Sequence, residues 1–151
     1  MSNKVVAAML LMTGFVAIPL CAGSSSATLS VSVQVLARTI VTVDSQPSTV
    51  SVTAADVARG YVDLPQSVVF HVRSNAANGY AMQFEPIGFP FSRADVTWDS
   101  ASATIGSEGA WLSEPYEAGT HSGAFNVRLE LAPGTQPGAY DWPVRFDAGS
   151  L

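Results

Sequence analysis

From Thr28 onward the chain alternates apolar and polar residues with a period of two. That is the repeat of a strand whose side chains point to opposite faces in turn. Leu29, Val31, Val33 and Val35 are separated by Ser30, Ser32 and Gln34, and the same phase continues through Thr39, Val41 and Val43. Two readings fit the run. It is the single first strand of a complete domain, or it divides near Ala37-Arg38 into an N-terminal extension, residues 28–36, and a first strand, residues 38–43. Most strands have about five or six residues, so the length favours the division. Val50 and Val52 predict a short strand. Residues 54–59 predict one helical turn, with Thr53 as N-cap and Asp56 at the third helical position.

The alternation resumes further on. Residues 61–64 predict another short strand. Val68, Phe70 and Val72, then Tyr80, Met82 and Phe84, flank Asn78-Gly79 and predict a hairpin, because Asn-Gly suits a positive-φ turn. Residues 86–117 show no regular period; Val96, Trp98, Trp111 and Leu112 are their expected core anchors. Phe125, Val127, Leu129 and Leu131 face one way on a clear strand. A Pro- and Gly-rich connection, residues 132–138, leads to a last alternating strand carrying Tyr140, Trp142, Val144 and Phe146. Pro143 cannot donate to a ladder, so this strand should have an open side. Short strands with turns between them predict an all-β chain, an immunoglobulin-like Greek-key β-sandwich of about seven strands. Pro137-Gly138-Ala139-Tyr140 suggests a tyrosine corner; the alternative is a plain core aromatic at Tyr140.

Composition narrows the classes. Charged residues make up only 13% and hydrophobic residues 48% of the 151, with 12 Gly and 9 Pro. Such a chain is folded and turn-rich. Its net charge of −5 argues against nucleic acid as a partner, since phosphate-backbone binders carry a basic face. Residues 1–27 read as a signal peptide. Lys4 supplies the positive start, residues 5–20 form an apolar run, and Ser25-Ser26-Ala27 offers a small-x-small cleavage site. Export through the periplasm to the surface or beyond is expected, with no membrane residence after cleavage. The one cysteine, Cys21, would leave with the leader, so the folded domain of residues 37–151 would have no disulfide and would rest on its core.

Candidate chemistry is sparse. His71 falls on the polar phase of a strand and His121 in a loop, and their spacing does not suggest a metal site. Asp95, Asp99 and Glu108 lack a calcium-loop pattern. No Gly-x-Ser-x-Gly elbow occurs. No catalytic residue, metal or cofactor is assigned, and the chain is not expected to be an enzyme. A hydrolase on a sandwich scaffold would have His71 and His121 as its best candidates. Trp98, Trp111, Tyr116, Trp142 and Phe89-Pro90-Phe91 either stack on a sugar or fill the core. The former would make a monomeric secreted or periplasmic binding module, an adhesin using Trp98, Trp111 or Tyr116.

The leader, the alternation that follows it, the strand pair around Asn78-Gly79 and the Gly138-x-Tyr140 entry to a last strand together resemble subunits of the spore-coat-protein-U-like and archaic chaperone–usher pilin group. Such subunits commonly carry a cysteine in the first strand, where residues 37–41 have none. The resemblance implies a sandwich lacking one strand, which the extension of the next subunit supplies by β-augmentation. It implies Leu29, Val31, Val33 and Val35 as the donor strand and Tyr140, Trp142, Val144 and Phe146 as the acceptor edge. It further implies self-association or pairing with other pilin-like subunits, and passage by a periplasmic chaperone and usher. The function it implies is a structural subunit of a surface fibre or coat.

Overall fold

The computed structural model describes residues 28–151, so the expected leader lies outside the described residues. Val35–Leu151 forms one compact unit. Residues 28–34 adopt no strand or helix, and their side chains are exposed.

The described chain is a β-sandwich of ten strands and one short helix. In order these are β1 (Thr39–Ser45), β2 (Thr49–Val52), α1 (Ala54–Arg59), β3 (Tyr61–Ser74), β4 (Tyr80–Phe84) and β5 (Phe91–Trp98), followed by β6 (Ala101–Ile105), β7 (Ala110–Glu114), β8 (Thr120–Leu131), β9 (Gly138–Asp141) and β10 (Phe146–Ser150). One sheet has the order β1-β3-β8-β5-β6 and the other β10-β4-β7, while β2 pairs with β9 alone. All pairings are antiparallel.

The alternation decides what is buried. Phe70 on β3, Phe84 on β4 and Phe125 on β8 are almost wholly buried. The Phe125 ring lies 4.4 Å from Phe70 and 5.6 Å from Phe84 (centroid to centroid), joining the two sheets. Such tilted and edge-on contacts add to the area buried by each ring. The helix is set by its cap. Thr53 Oγ1 accepts from Asp56 N–H at 3.2 Å, and Asp56 Oδ2 accepts from Thr53 N–H at 2.8 Å. This is a capping box, closed at the far end by Gly60 in the left-handed region. Tyr140 donates its hydroxyl to the Gln136 carbonyl at 2.7 Å, the bond expected of a tyrosine corner.

Four expectations are corrected. The described residues form ten strands where about seven were expected. Residues 86–117 hold three of them, β5, β6 and β7. A bulge between Phe91 and Arg93 breaks the phase of β5, and β6 buries small residues such as Ala103, so neither shows a strong period. β3 and β4 do not pair; Asn78-Gly79 carries the chain from one sheet to the other. The expected last strand is two strands. β9 ends at Asp141, residues 142–145 leave the ladder at Pro143, and β10 begins at Phe146 on a different sheet.

Candidate functional site

The two flanks of the sandwich differ. On one, β6 and β7 are joined by a tight turn with a bridge between Gly106 and Gly109. Their inward residues Ala103, Ile105 and Leu112 are buried. The other flank is formed by β1 and β10, each the outermost strand of its sheet.

On β1, Thr39, Val41 and Val43 stand opposite Ser74, Val72 and Phe70 of β3. Directly opposed residues share a face, so all three β1 residues point inward. Their partners are buried, yet Thr39 and Val41 are only half-buried. Val43 is 38% exposed although Phe70 beside it is at 0%. On β10, Phe146 and Ala148 pair with the buried Phe84 and Met82 but are themselves half-buried. The flank therefore keeps its inward apolar residues with too little above them. It is closest where Thr39 Oγ1 meets Ser150 Oγ at 3.2 Å, and Val43 and Phe146 lie toward the other end.

The backbone of β10 has a free side as well. Leu151 donates to Gly79, and Glu85 donates to Arg145. In an antiparallel ladder bonded pairs alternate, so the N–H groups of Phe146, Ala148 and Ser150 point away from β4. One of them is occupied locally: Asp147 Oδ1 accepts from Ala148 N–H at 2.7 Å.

The structure divides the residues singled out above. Leu29, Val31, Val33 and Val35 are all exposed and in no strand; Leu29 is 86% accessible. Of the four residues expected at an acceptor edge, Tyr140, Trp142, Val144 and Phe146, only Phe146 lies on the free-edged strand. Tyr140, on β9, pairs with Val50 of β2, and Trp142 and Val144 are buried in the segment between β9 and β10. The strand with the free edge carries Phe146, Ala148 and Ser150 beside β1. Its small residues hid it in the sequence, because Ala148 and Ser150 give no apolar period.

Chemistry-bearing groups lie elsewhere. His71 Nδ1 is 3.0 Å from Asp44, and His121 Nδ1 is 2.9 Å from Glu117. Among the described residues no group of three or more His, Asp or Glu is placed to hold a metal. A cavity of about 340 Å³ is lined by Tyr80, Trp98, Asp99, Glu114, Glu117 and His121. Burial, then Asp99 and Glu117, raise the Glu114 carboxyl. Burial with Glu114 and Glu117 pushes Tyr80 up to about 12. Of the aromatics, Trp98, Trp142 and Phe91 are buried, while Phe89, Tyr116 and Trp111 are exposed, Trp111 at 78%. Among the described residues no helix is long and apolar enough to cross a membrane. Comparison with family models, curated proteins and solved structures gives no match.

Proposed function

We propose that this chain is an exported, non-catalytic structural subunit of a surface fibre or coat, assembling by β-strand complementation. In this reading the sandwich is an immunoglobulin-like Greek key short of one strand. Residues 1–27 direct export, residues 28–36 are the donor, and the flank between β1 and β10 is the acceptor. A periplasmic chaperone and an usher, or other pilin-like subunits, are its expected partners. The observation that carries the reading is Val43, an inward-facing valine left 38% exposed beside a fully buried Phe70. An added strand covers it, pairs with the N–H groups of β10 that point away from β4 and buries alternate side chains. Leu29, Val31, Val33 and Val35 have the spacing for that role.

The test compares residues 28–151 with residues 37–151, each with and without a peptide of residues 28–36, by thermal unfolding and particle size. A shortened form that is unstable or aggregated and is rescued by the peptide supports the reading. Two equally stable monomers indifferent to the peptide overturn it.

A second reading, a monomeric adhesin, draws on Trp111, exposed at 78% on β7. Flat Trp111 fluorescence across a broad glycan panel would count against it.

A further inference from the structure

The extension is joined to β1 by Leu36, Ala37 and Arg38, and Asn75 grips this linker from just beyond β3. Its Oδ1 accepts from Arg38 N–H at 2.5 Å, and its Nδ2 donates to the Leu36 carbonyl at 3.1 Å. Its backbone N–H donates to the Arg38 carbonyl at 3.1 Å. The Arg38–Asn75 contact continues the register set by Thr39 opposite Ser74. The ladder of β1 and β3 is thereby prolonged into the linker.

To fill the flank of its own sandwich, the extension would have to reverse in this linker and run back beside β1. Side-chain parity restricts the reversal. A two-residue turn at Ala37-Arg38 sets Leu36 opposite Thr39, and so Gln34 and Ser32 opposite Val41 and Val43. The polar face then points inward. A three-residue turn through Leu36, Ala37 and Arg38 sets Val35 opposite Thr39, Val33 opposite Val41 and Val31 opposite Val43. Of these two turns only the second buries the valines, and a longer turn of the same parity orders more of the chain. It calls for a left-handed residue at its third position, where glycine is preferred and Arg38 stands. Its first and third residues are the two that Asn75 holds.

We propose that Asn75 is a positioning residue that keeps Leu36 and Arg38 extended, denies the chain its own extension, and leaves that extension for a second copy of this chain. The inference rests on the donor role proposed for residues 28–36, and adds what decides between self-capping and assembly.

The test uses the full chain exported with its leader, as the parent, N75A and R38G. R38G retains the backbone N–H that Asn75 binds and supplies the residue the turn prefers, so it tests the same idea if N75A folds poorly. Particle size over a concentration series reads the monomer-to-polymer ratio. Both variants should raise it about tenfold, N75A through the hydrogen bonds it loses and R38G through the ease with which glycine adopts the left-handed region. Their monomers should no longer gain thermal stability from added peptide of residues 28–36, because the flank is already filled. Variants that polymerise like the parent, or monomers that are merely less stable and still respond to the peptide, overturn the proposal. The underlying donor reading fails separately: V31D/V33D in the parent would then leave the polymers unchanged.

Discussion

Gly123 shows how tightly single positions are specified. It stands opposite Phe70 on the inner face of β8. A β-carbon there would lie 2.5 Å from Trp98 Nε1 and 2.9 Å from Phe70 Cζ. Glycine is therefore required by packing at this position, because the two rings occupy the space. G123A should lower stability by about 1–3 kcal/mol, read from the urea midpoint, as overpacked cores do. Asp56 is specified by charge. Hydrogen bonds from the Thr53 side chain and backbone, with Arg59 beside it, hold its carboxyl at about 2 against an ordinary 3.8. A lowered folded value means that the ionised form stabilises the fold. That contribution is complete above the ordinary value and is lost as pH falls from 3.8 toward 2. Melting temperature should drop through this window in the parent, and D56N should remove part of the drop.

At the scale of elements, β10 carries the sharpest consequence. Ala148 N–H points to the free side of its strand, away from β4. Proline there removes that donor, together with its local bond to Asp147 Oδ1, closes the position to an incoming strand and leaves every bond to β4 in place. A148P should fold with a melting temperature within a few degrees of the parent and lose stabilisation by the peptide of residues 28–36. A variant that still gains from the peptide would show that strand addition at β10 is not the mechanism. The legibility of these elements in the sequence follows their physics. Period-two burial made β2, the ends of β3, β4 and most of β8 readable, and Thr53 with Asp56 announced the helix. Pairing was not readable, because Asn78-Gly79 specifies a turn and not the sheet that receives the next strand. β5 was hidden by its bulge, β6 by small buried residues, and the division of β9 from β10 by four residues, Trp142 to Arg145, whose alternation continues after the ladder ends. The alternation of residues 29–35 was plain in the sequence. The half-covered flank was not, since it exists only once β1 and β10 have been brought together.

For the whole molecule, charge and apolar pattern make separate demands on assembly. The six arginines are outnumbered by 12 acidic residues, all beyond residue 27. Two copies approaching each other therefore repel at low ionic strength. Residues 28–36 contain no charged residue, so the contact proposed for the donor is one of apolar burial and backbone pairing. The two effects separate by salt. Raising ionic strength from about 50 to about 500 mM shortens the screening length severalfold and relieves repulsion between whole subunits. The rate of polymerisation should then rise. The affinity of the isolated peptide of residues 28–36 should change by less than about twofold, since one partner is neutral. A peptide affinity that falls steeply with salt would mean that charge, not the valine face, drives the contact. A polymerisation rate that falls with salt would point to an assembly surface in which the exposed arginines Arg38, Arg73 and Arg145 meet the acidic groups of a neighbour, and not to an added strand.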